Sequence, residues 1–103
     1  MTDKLTVTAR IVPDGRAFTV TGRPAETLLS LVEAGPRGIT SLEAFQAGWA
    51  VRLAAYVHRL RTECGLAIKT SREPHPGGSH GRYILQSPVE LMERSEPRER
   101  MAA

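Results

Sequence analysis

Few residues in this chain could do covalent or metal chemistry, and their spacing argues against it. His75 and His80 flank the glycine pair Gly77-Gly78, while His58 stands apart from both. A metal site needs carboxylate, imidazole or thiolate ligands at set spacings, and none stands beside these histidines. The single cysteine, Cys64, can form neither an intramolecular disulfide nor a cysteine-based zinc site. Gly77-Gly78 lacks the lysine and the following helix of a phosphate loop. No Ser/His/Asp or Cys/His arrangement is suggested. The sequence therefore predicts a protein that is not an enzyme and uses no cofactor or metal.

What remains is basic. The net charge is +3 and the pI about 9.6, modest totals whose distribution matters more than their size. Between Trp49 and Gln86 stand Arg52, Arg59, Arg61, Lys69, Arg72 and Arg82 against Glu63 and Glu73, a local +4, together with all three histidines. The segment from Ser87 to Ala103 carries three arginines and four glutamates, a local −1. The chemistry open to such a cluster is recognition: guanidinium and ammonium groups neutralise phosphates, and a guanidinium can bond O6 and N7 of a guanine bidentately.

Several elements must position those groups. At 103 residues with 41% apolar and 24% charged residues, the chain has the size and composition of one compact domain. Aromatic residues are only 5%, so the core is expected from Leu, Ile, Val and Ala. No apolar run approaches the length of a membrane span, and Met1 to Arg10 lacks the apolar stretch of a signal peptide. A cytoplasmic protein is expected, with no membrane or small-molecule partner.

Leu5 to Val12 and Ala17 to Thr21 alternate apolar and polar residues, the pattern of strands, and Pro13-Asp14-Gly15 supplies turn chemistry between them. Gly22 ends the second strand. Pro24, suited to a first helical turn, opens a helix whose apolar stripe is Leu28, Leu29, Leu31 and Val32, stopped at Ala34 by Gly35-Pro36. A short helix from Ser41 to Ala47 follows, with Glu43 placed to complete a capping box from Thr40 and with Leu42, Ala44 and Phe45 as its apolar side. Gly48 is its end. Trp49, Leu53, Val57, Leu60 and Cys64 then recur at spacings of four and three, one stripe of a helix from Trp49 to Cys64.

Opposite that stripe lie Val51, Arg52, Ala55, His58, Arg59 and Thr62, a face of small residues and arginines able to approach a groove closely. Leu66 to Arg72 and Gly81 to Gln86 read as strands around a loop from Glu73 to His80. That order of parts predicts an α+β winged helix-turn-helix, three helices plus a C-terminal β-hairpin wing, with an additional N-terminal β-hairpin. Residues 1–22 are the hairpin, 23–86 the winged domain and 87–103 a polar, flexible tail. Arg52, near the start of the last helix, is the candidate for base readout, with Val51 and Ala55 beside it. His58 and Arg59 fall near phosphates, Thr40 and Ser41 offer hydroxyls and helix-start N–H groups, and Lys69, Arg72, His75, His80 and Arg82 line the wing. The bland alternative for each arginine is a solvated surface residue. Arg59 or Arg61 can pair with Glu63 or Glu33 at little energetic consequence. Tyr83, alternating with Leu85, is expected to pack.

Four stretches carry a family resemblance: Gly38-Ile39-Thr40-Ser41-Leu42-Glu43-Ala44, Arg52 to Arg61, Gly65-Leu66-Ala67-Ile68-Lys69-Thr70 and His80-Gly81-Arg82-Tyr83-Ile84-Leu85. In these, Ile39 to Leu85 resembles a winged helix-turn-helix family of small bacterial and prophage-encoded proteins. The resemblance covers about half the chain and leaves the hairpin from Leu5 to Thr21 outside. It implies a winged-helix fold and DNA binding. With the two-faced helix and basic wing, the leading expectation is a sequence-specific double-stranded DNA-binding protein, a transcriptional regulator or a phage-type accessory factor. A second expectation is a winged helix that docks a protein instead of DNA. The strand from Leu5 to Val12 motivates it, because an open edge there could pair with another chain or with its own copy as a homodimer.

Overall fold

The computed structural model describes residues 5–46 and 52–95; the side chains of Phe45, His75, Ser79 and His80 lie outside that description. Two three-stranded antiparallel sheets and three helices share one core. The N-terminal hairpin forms as its alternation predicts, β1 (Thr6–Ile11) against β2 (Ala17–Thr21), with Val7 opposite Val20 and Ala9 opposite Phe18. Val7 and Ala9 are fully buried. On the other face Thr6 meets Thr21 and Thr8 meets Thr19, the second pair joined by hydroxyls 2.9 Å apart.

Helix α1 (Arg23–Ala34) begins one residue before Pro24, at a Gly22 that takes φ 75°. It buries Ala25, Leu28 and Leu31 completely. A 3-10 turn, Gly35–Arg37, stops it. Gly38 then brings its backbone against Tyr83, with φ +69° and no room for a Cβ beside Tyr83 O. That close approach seats β3 (Ile39–Thr40) on the wing.

Helix α2 (Ser41–Gln46) starts at the expected capping box: Thr40 N–H donates to Glu43 Oε1 at 2.9 Å and Glu43 N–H to Thr40 Oγ1 at 3.1 Å. Ala44 is buried, but Leu42 is 59% exposed and is not part of the apolar side. In so short a helix only the side toward β3, β5 and α3 is covered, where Ala44 sits. The turn at Gly48, with Ala47, Trp49 and Val51, lies outside the described residues. Helix α3 (Leu53–Glu63) starts later than its stripe suggests, because Arg52 at its N-cap has non-helical φ −117° and ψ 52°. Leu53, Val57 and Leu60 point into the core as expected.

The wing is β4 (Ile68–His75) against β5 (Gly78–Leu85), in the order β3–β5–β4. Its strands run further than the sequence suggests. The expected eight-residue loop from Glu73 to His80 is instead a tight turn at Pro76-Gly77, paired down to His75 opposite Gly78. Pro76 fixes a negative φ and Gly77 takes φ +91°, the residue order of a type II turn.

A larger correction concerns the end of the chain. Residues 89–95 are not a flexible tail but a strand, β6 (Val89–Ser95), paired antiparallel with β1 in the order β2–β1–β6. Ser87 turns the chain back by accepting Ala67 N–H at its hydroxyl, and Val12 N–H reaches Pro88 O. A bulge between Thr8 and Ala9 of the register lets Met92 stand extra, and Arg10 pairs with Glu90 at 2.9 Å. Strand β1 is therefore central, with both edges occupied, so the expected open edge at Leu5 to Val12 does not exist. Among the described residues no helix is long and apolar enough to cross a membrane.

Candidate nucleic-acid interface

The outer surface of α3 is built as the stripe opposite Leu53, Val57 and Leu60 requires. Arg52, His58, Arg59 and Thr62 are exposed and Ala55 is half-buried, one row at spacings of three and four. Val51 lies outside the described residues. Thr62 returns its hydroxyl to His58 O at 3.0 Å, leaving its methyl outward beyond Arg59, while the small Ala55 is a low point between Arg52 and Arg59. Arg59 forms a two-pronged contact with Glu63, 3.3 Å and 3.1 Å, both side chains more than half exposed. The Glu63 hydrogen bond raises the Arg59 pKa further. An exposed pair one helical turn apart contributes little and can be traded for a phosphate.

Other arginines are committed to the scaffold. Arg61 donates from Nε to Ile68 O at 3.1 Å and from its terminal nitrogen to Thr70 Oγ1 at 2.8 Å, clipping α3 to the first wing strand. Arg82, 20% exposed, is held by Glu73 at 2.6 Å and by Glu43 at 3.6 Å, and donates to Arg37 O. Glu73 is the main reason its pKa is raised. The expectation that Arg82 faces DNA is therefore corrected, since two carboxylates already neutralise it. Glu43 thus ties the wing to the α2 capping box.

Thr40 is corrected for a related reason. It is 3% exposed; its N–H is spent on Glu43 Oε1 and its hydroxyl oxygen accepts Glu43 N–H, so the residue is buried in the cap and its side chain is not presented to a phosphate. Ser41 beside it is exposed. Cys64, half-buried, has its thiol pKa raised, first by burial and then by Glu63, so it is a poor nucleophile.

Strand alternation divides the wing. Lys69 shares a face with Ser71 and Glu73, whereas Arg72 shares one with Ile68 and Thr70, the side to which Arg61 of α3 reaches. Both are exposed and, among the described residues, neither has a carboxylate partner; the same holds for Arg52. Tyr83 and Leu85 pack against the core as expected. The backbones of His75 and His80 lie on either side of the tip; their side chains lie outside the described residues.

Helices α1, α2 and α3 packed with the sheet β3–β5–β4, whose hairpin β4–β5 extends as a wing, define the architecture. A family model described as a winged helix domain matches residues 17–95. The chain belongs to the winged helix domain family. The match extends beyond the segment Ile39 to Leu85 at both ends, taking in β2 and all of β6, so the second hairpin strand and the C-terminal strand belong to the winged helix domain. No curated protein and no solved structure compared with the chain matched it. Membership of this family is compatible with DNA binding.

Proposed function

We propose that this winged helix domain binds double-stranded DNA in a sequence-specific way, as a transcriptional regulator or a recombination-type accessory factor, with the outer row of α3 toward the major groove. The observation that carries the reading is the row Arg52, Ala55, His58, Arg59 and Thr62, low in profile and basic, set directly opposite a buried stripe. Such a helix can approach base edges while its other side stays in the core. Arg52 is the base-reading residue, because its guanidinium is exposed at the helix start and has no carboxylate partner among the described residues. Lys69 and Arg72 add phosphate contacts from the wing, and His58 and Arg59 flank the groove.

The test is fluorescence anisotropy on a selected duplex and a random one across a range of salt. Affinity should fall steeply with salt, because each phosphate contact releases a counterion. Arg52→Ala should cost about 1–3 kcal/mol on the selected duplex and much less on the random one, while Lys69→Ala should weaken both alike and flatten the salt slope. Equal loss on both duplexes for Arg52→Ala would remove it from base readout. Absence of any salt-dependent affinity would remove the DNA-binding reading.

A further inference from the structure

The exposed strand edges of this molecule are not alike. The outer edge of β6 carries Glu90, Glu93, Arg94 and a bulge, and the outer edge of β4 carries Lys69, Arg72 and Pro74. Charge, proline and bulges are the usual devices that keep a sheet edge from pairing with another chain. Strand β2, Ala-Phe-Thr-Val-Thr, has none of them. Among the described residues, only β1 pairs with it.

The hydrogen-bond phase of that edge is fixed. Gly22 N–H donates to Leu5 O, so Gly22 and Leu5 are a hydrogen-bonded pair. In an antiparallel ladder such pairs alternate, so Val20 and Phe18 spend their N–H and C=O groups on β1, and Thr21, Thr19 and Ala17 turn theirs outward. The opposite edge of β1 agrees: Val12 N–H, an even position, bonds to Pro88 O toward β6. The three outward residues, Ala17, Thr19 and Thr21, are also exposed.

Their spacing is self-complementary. We infer that two copies of this chain join antiparallel through β2, about a two-fold axis at Thr19, into one continuous sheet. In that register Thr19 faces the partner's Thr19, and Ala17 faces the partner's Thr21; every residue so paired has its backbone groups outward, and each pair can exchange two hydrogen bonds. Phe18 falls opposite the partner's Val20 on the core side. Both are only half-buried within one copy, and in the pair they cover each other, an aromatic against a β-branched side chain. The five paired residues of β2 carry no charge, with Arg16 and Arg23 falling just beyond them. The join is isologous, which presents two α3 helices in two-fold relation.

The inference stands on the sheet alone and is tested without DNA, so its failure leaves the DNA-binding reading as it was. Size-exclusion chromatography with light scattering over a micromolar concentration series should give a mass rising to twice that of the chain. Thr19→Lys sets like charges directly opposite and should weaken association about tenfold or more. Thr8→Lys, the same change one strand inward on the same face, should leave it intact. In a Cys64→Ser background, Thr19→Cys should form a self-linked disulfide, because paired Cα atoms lie within disulfide reach. Ala17→Cys should link to Thr21→Cys on mixing and not to itself. A monomer at every concentration, equal effects of the two lysines, or cross-linking without this register would overturn the inference.

Discussion

The two sheets use the same residue types for different ends. In β2–β1–β6 the polar contacts among the described residues include a ladder of threonine hydroxyls and an exposed ion pair, Arg10 with Glu90. In β3–β5–β4 the arginines hold the architecture. Arg82 joins β5 to β4 and to the α2 cap, and Arg61 joins α3 to β4. The difference shows that a basic winged helix cannot be read by counting cations. Those with scaffold partners build the surface, and those on α3 and the wing without a carboxylate partner among the described residues, Arg52, Lys69 and Arg72, are the ones proposed to meet a ligand.

The contrast can be broken most severely at Gly38, where β3 meets β5. Gly38→Ala places a Cβ on Tyr83 O and 2.7 Å from Ile84 Cγ1, at φ +69°. Strain and clash together should cost about 2–4 kcal/mol, measured by urea unfolding; a change below 1 kcal/mol would mean that the junction is more pliant than described. Arg82→Ala comes next, at about 1 kcal/mol, because the charge-assisted bonds to Glu73 lie only partly shielded from water. In a domain of this size that is roughly 4–8 °C in Tm. Arg10→Ala, its counterpart in the other sheet, should fall below about 0.5 kcal/mol. If the two arginines cost the same, the contrast between the sheets fails.

The smallest effect belongs to Cys64. Burial raises its thiol pKa in the folded state, so folding favours the neutral thiol. That contribution is present below the unfolded-state pKa and is lost as pH rises through the higher folded value. Alkylation of the folded protein should accordingly reach its half-maximal rate at a higher pH than that of the unfolded chain. Coincident profiles would show the thiol to be fully solvated.

Much of this was legible in the residues themselves. Gly22, Gly35-Pro36 and Gly65 punctuate the helices, the three-and-four spacing of Leu53, Val57 and Leu60 names the buried face of α3, and Thr40 with Glu43 announces the capping box. Strand β6 was not legible. Val-Glu-Leu-Met-Glu-Arg-Ser breaks its alternation at the bulge beside Met92, and its strand state comes from pairing with β1, far away in sequence. Nor could Arg82 be told from Arg72 by type: what separates them is Glu43, brought from α2 by the fold. The capping box also carried a conflict, since the fold that makes Thr40 a cap buries it to 3% exposure, away from a phosphate.

The central claim, that α3 reads DNA, is tested most directly by selecting bound duplexes from a random pool with the full chain. One enriched motif with the wild type, lost in Arg52→Ala while low-salt binding to random DNA persists, is the predicted result. A pool that stays random after repeated rounds, with no retention of DNA even at low salt, would contradict it.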